Sequence, residues 1–150
     1  MVRSRLWLNM WACLAVLGVT TTANAVCLDA SFVSGYHLPL EKEVRRAVAI
    51  VLGKVTRKKD LVEDPAYPDG LTATIYTVQV SRFVRGKVTP IIQIRSENDS
   101  GRFCMDVGKE YLLFLSKDVQ HGLFFVDSCG SSGVASDRES VLRQVEHGVP

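Results

Sequence analysis

The run Tyr111-Leu112-Leu113-Phe114-Leu115 constrains the fold more than any other part of the chain. Five residues are strand length, too short for a helix that buries one face. In a strand Tyr111, Leu113 and Leu115 point one way and Leu112 and Phe114 the other. Both sets are apolar, so this strand belongs inside a sheet that is covered on both sides. A second apolar run, Leu123 to Val126, follows after Lys117, Asp118, Gln120 and Gly122, which supply a turn. The pair reads as an antiparallel hairpin, with Cys104 just before it and Cys129 closing it.

The first residues speak to compartment. Arg3 and Arg5 precede the apolar stretch 6–19, interrupted only by Asn9, and a small, polar stretch ends Ala23-Asn24-Ala25. That is the pattern of a secretory signal peptide, residues 1–25, cleaved after Ala25. The apolar run is shorter than the ~20 residues needed to span a bilayer, which argues against a retained anchor. Processing removes two of the 18 basic residues and none of the 16 acidic ones, leaving residues 26–150 formally neutral. A neutral chain lacks the basic footprint of a nucleic-acid or anionic-membrane binder, so neither partner is expected. Residues 26–150 suit a single domain with one core.

Three cysteines, Cys27, Cys104 and Cys129, remain after cleavage. In an oxidising compartment such widely spaced thiols are disulfide candidates rather than metal ligands, and no Cys-x-x-C pair occurs. Three is odd, so one thiol stays unpaired, pairs with another chain, or is buried. Cys27 has two possible partners, and either bridge would tie down the leading end of the domain.

Residues 40–55 carry two overlapping signals. Leu40, Val44, Val48, Val51 and Leu52 share one helical face, yet residues 47–52 are an unbroken apolar run. A short helix over 40–45 followed by a strand over 47–57 satisfies both. Residues 57–70, with mixed charge, two prolines and a closing Asp-Gly, read as a long exposed loop able to touch a partner. Strict alternation predicts a strand within 71–85, with Tyr76, Val78 and Val80 on one side and a bulge near Phe83-Val84. Pro90 opens another strand, Ile92 and Ile94 inward and Gln93 and Arg95 outward. Ser136 and Glu139 spell a capping box for a terminal helix bearing Val141, Leu142 and Val145. The class predicted is mainly β: a five-stranded antiparallel barrel with a C-terminal α-helix.

Chemistry is sparse. His37, His121 and His147 lie far apart, each near a turn or terminus, and read as surface residues. A Cys129–His121 nucleophilic pair is disfavoured because an exported cysteine tends to be oxidised. Gly130-Ser131-Ser132-Gly133 lacks the G-x-S-x-G spacing of a nucleophile elbow, and phosphate-loop and dinucleotide fingerprints are absent. Catalytic residues, cofactors and an intrinsic metal are not expected.

Residues 49–55, 76–86, Cys104, 108–114 and 122–129, taken in order with their spacing, resemble the netrin-like module. More narrowly they are similar to the N-terminal domain of tissue inhibitors of metalloproteinases and their bacterial relatives. The resemblance covers nearly all of residues 26–150 and implies an OB-like five-stranded barrel. It also implies protein binding and, in its sharpest form, inhibition of a metalloendopeptidase. In that family a Cys-x-Cys at the mature N-terminus is pinned by two disulfides, and its free amine and carbonyl chelate the protease zinc. Here the partner-binding residues would be Val26, Cys27, Leu28 and Asp29, with Cys104 and Cys129 matching the body cysteines. The chain departs from the pattern at two points. Leu28-Asp29 stands where a second cysteine is expected, and cleavage after Ala25 leaves Val26, not Cys27, at the end. A non-inhibitory periplasmic or extracellular interaction module on the same fold is therefore the competing expectation.

Overall fold

A computed structural model describes Cys27, residues 37–63 and residues 70–148. The signal-peptide reading, Val26, Leu28, Asp29 and the middle of the 57–70 stretch lie outside the described residues. Secondary structure is mainly β. The order is α1 (Leu40–Arg46), β1 (Ala49–Leu61), β2 (Ala73–Arg85), β3 (Ile91–Glu97), β4 (Glu110–Asp118), β5 (Leu123–Phe125) and β6 (Gly133–Val134). A 3-10 turn (Ala135–Arg138) then leads into α2 (Glu139–Glu146).

The sheet closes on itself. Its strands run β1-β2-β3-β5-β4, and β4 returns to pair with β1, completing a ring of five. All contacts are antiparallel except β3 with β5, which meet in parallel at Ile94 and Phe124. The sixth strand, β6, lies against β4 at Tyr111 and Leu112 and was not expected. A closed sheet leaves few free edges for stray pairing.

Closure explains the doubly apolar β4. Tyr111, Leu113 and Leu115 fill the interior of the ring with Val51, Val55, Tyr76, Val78 and Ile94, all of them buried. Leu112 and Phe114 face outward, where Ile50 and Val44 pack with Leu142 and Val145 of α2. One strand thus serves two cores. The Arg85 guanidinium donates to the Val44 carbonyl at 2.8 Å, fastening the end of β2 to α1.

Helix and strand within 40–55 coexist as the double signal requires, with Ala47 and Val48 as the joint. Three expectations are corrected. First, β1 does not stop at Arg57 but continues to Leu61, paired with β2 through Lys58–Tyr76, Lys59–Ile75, Asp60–Thr74 and Leu61–Ala73. Charged side chains do not break a ladder when they face solvent, and Thr74 donates its hydroxyl to Asp60 at 2.9 Å. Second, Arg95 is only 6% exposed, although strand alternation places it outward. Third, the Ser136–Glu139 capping box does not form. Ser136 sits in the 3-10 turn with its hydroxyl on Asp137, and α2 begins at Glu139 without a side-chain cap. The bulge near Phe83-Val84 is present as a register shift opposite Ile50/Val51.

Among the described residues no helix is long and apolar enough to cross a membrane.

Candidate functional site

The chain leaves the ring after Val126, which is buried, and turns through Asp127-Ser128-Cys129-Gly130. Asp127 makes this turn: its carboxylate accepts the Cys129 N–H at 2.8 Å and its carbonyl the Gly130 N–H at 3.2 Å. Short polar side chains that bond the backbone two residues on are the usual means of holding such a bend. Cys129 is bonded to Cys27, 102 residues earlier, with Cα atoms 5.5 Å apart. The Cys129 carbonyl also receives the Leu38 N–H at 3.4 Å. Two points of the leading chain, Cys27 and Leu38, are thus both fastened to one residue.

Glu43 holds that residue's loop from beneath. It lies on α1 and is 5% exposed, and both its carboxylate oxygens receive the Ser131 N–H, at 3.0 and 2.8 Å. Burial pushes the Glu43 carboxyl above the usual glutamate value. The bond from Ser131 opposes this, and the nearby Asp127 charge adds to it. Gly130 lies flat on the same carboxyl, so closely that a Cβ there would sit 2.9 Å from Glu43 Cδ. Ser132 is spent as well: its buried hydroxyl accepts the Phe114 N–H at 2.9 Å.

Arg95 organises the far side. Its guanidinium spans Glu63, just past β1, and Glu97, the last residue of β3, reaching Glu63 Oε2 at 2.6 Å. Hydrogen bonds to both carboxylates raise the Arg95 pKa still further and hold Glu63 below its ordinary value. Beyond it, the Asp118 carboxylate accepts the Gln120 and His121 N–H groups and meets His121 Nδ1 at 2.7 Å. Burial alone would raise the Asp118 pKa, but these bonds outweigh it and the carboxyl is held below the usual range. Between Arg95 and the disulfide loop lies a cleft of about 290 Å³, floored by Phe125 and Val126.

The structure therefore joins Cys27 to Cys129 and leaves Cys104 out. Cys104 is an exposed free thiol, on a segment held by the Phe103 N–H to the Ser96 hydroxyl. His37, His121 and His147 are all exposed, and the disulfide removes Cys129 from any pairing with His121. Among the described residues no group of three or more His, Cys, Asp or Glu side chains is arranged to hold a metal ion. Glu43 and Arg95 escaped the sequence reading. An acid in the first turn of a short helix and a base in an alternating strand look like solvated residues, and neither position carries a signal of burial.

Compared with known proteins, the chain matches no family model, and no curated protein is similar to it in sequence.

Proposed function

We propose that this chain is an exported protein-binding module of the netrin-like type, and that its working part is the segment around Cys27. The observation that carries the reading is the Cys27–Cys129 bond. It ties the leading end to a loop that is itself braced by Asp127, Glu43 and Leu38. A segment pinned this way loses little further freedom on binding, which is how pre-organised tips gain affinity. Export is supported by the disulfide, since such bonds persist in oxidising compartments. The five-stranded closed ring, with helices outside it, supports the OB-like barrel.

In its sharper form the module inhibits a zinc metalloendopeptidase, with Val26 to Asp29 entering the active-site cleft. The second reading, a binding module without inhibitory action, draws on the cysteines. A single bridge fastens the leading end, and Cys104 has no partner among the described residues. One assay separates the two. Exported protein, its N-terminus verified by intact mass, is tested against a panel of zinc endopeptidases. Inhibition at micromolar concentration or below, lost in Cys27→Ser, is the outcome expected of the inhibitor. No inhibition by protein of confirmed fold leaves the non-inhibitory module.

A further inference from the structure

The first half of β1 has a neighbour on each side, and the second half has one. Residues 49–54 pair with β4, and Val55 ends that ladder by donating to the Lys109 carbonyl at 3.0 Å and accepting the Gly108 N–H at 2.8 Å. At that level the chain leading into β4 makes a turn, with Gly108 at φ +90°. β1 runs on to Leu61, held by β2 alone. Among the described residues nothing pairs with residues 57–61 on the side away from β2, and residues 56–60 are exposed. An edge of this kind offers a row of free N–H and C=O groups to another chain.

The side chains select which chain. Arg57, Lys58 and Lys59 stand here against one carboxylate, Asp60, which accepts the Thr74 hydroxyl at 2.9 Å and lies 3.5 Å from Lys58 Nζ. The acids on either side are engaged as well, Asp106 by Lys109 and Glu63 by Arg95. Among the described residues Arg57 and Lys59 form no ion pair, and alternation places them on one face. Cations on an edge repel a second copy of the same strand, which keeps such an edge from pairing with itself. An acidic strand reverses the sign: each carboxylate opposite a cation adds to the ladder.

We propose that the outer edge of β1, residues 57–61, takes up an extended acidic segment of another protein as an additional strand, with alternate carboxylates facing Arg57 and Lys59. Backbone bonds supply the attachment, and the alternate side chains the choice of partner. This surface does not depend on residues 26–29 or on inhibition.

The probe is the blocked hexapeptide Thr-Glu-Val-Glu-Val-Thr, with Thr-Lys-Val-Lys-Val-Thr as its counterpart. Each is titrated into isotopically labelled chain beginning at Val26, followed by amide NMR and hydrogen exchange. The acidic peptide should give saturable shifts at residues 56–61 and 73–77, slower exchange at alternate amides of 57–61, and weaker binding as salt is added. The basic peptide should give none of these. The acidic peptide methylated at its internal backbone nitrogens keeps its charges but cannot donate, and should bind about tenfold more weakly. Arg57→Gln with Lys59→Gln should weaken binding by up to about tenfold. Arg57→Glu with Lys59→Glu should exchange the preference and take the basic peptide. Lys42→Gln with Lys87→Gln, exposed cations elsewhere, should bind like the parent. Five results would each overturn the proposal: shifts that do not saturate or centre elsewhere, equal binding of the methylated peptide, edge variants that keep the parent's preference, an equal response to an oligothymidylate, or protection of consecutive amides throughout 57–61 in the free chain.

Discussion

At Gly130 a single hydrogen atom stands where any other residue would place a carbon against Glu43. Gly130→Ala should therefore destabilise by about 1–3 kcal/mol, the usual cost of overpacking a closed site, read as a lower denaturant midpoint. Glu43 itself makes stability depend on pH. Its folded pKa lies above the ordinary glutamate value, so the folded state holds that proton more tightly than the unfolded chain does. The stabilisation linked to it is complete below the ordinary value and is lost as pH rises through the folded one. Glu43→Gln keeps an acceptor for Ser131 and cannot ionise. The stability of the parent relative to this variant should fall as pH rises above the ordinary glutamate value in urea titrations. A rise instead would show that the carboxylate is stabilised by its surroundings, contrary to the burial described.

Among the elements, β3 and the end of β1 are joined by a side chain rather than by backbone pairing. Arg95 is buried while both its partners, Glu63 and Glu97, are about half exposed, so solvent weakens each pair. Arg95→Met keeps the buried stem and removes the fork. A loss of about 1–2 kcal/mol is expected, less than for a pair buried at both ends, because the released carboxylates stay hydrated. Faster amide exchange should appear at Glu63, whose N–H donates to the Thr72 hydroxyl at 2.9 Å, and leave β4 unaffected. Uniform acceleration across the sheet would mean that the fork supports the whole fold. The β4 strand is the opposite case. Leu113 is fully buried at the centre of the ring, and Leu113→Ala should cost about 2–5 kcal/mol by opening a cavity that closed strands cannot collapse into.

For the molecule as a whole, the Cys27–Cys129 bridge spans 102 residues of sequence. Cys27→Ser should lower stability by about 2–4 kcal/mol, mostly by freeing the unfolded chain. Alkylation of denatured, unreduced protein beginning at Val26 should label one thiol, Cys104; labelling of all three would remove the bridge. Much of this architecture was legible in the residues. The doubly apolar Tyr111–Leu115 run requires a strand covered on both faces, and alternation along β2 is local and periodic, so both could be read from the chain alone. The hairpin turn into β5 is equally local, with Gly122 at φ +69° where a side chain would strain. The ends of the elements were less legible. β1 runs on to Leu61 because β2 is there to pair with it, and α2 begins at Glu139 although Ser136 looked like its cap. The sequence by itself determined a mainly β chain with a strand buried on both faces and with Cys27, Cys104 and Cys129 as candidates for cross-linking. Only the tertiary structure decided that Cys129 and not Cys104 receives Cys27, and that Glu43 and Arg95 lie buried. Disulfide pairing and burial of a charge depend on which distant segments meet, and no local pattern records that.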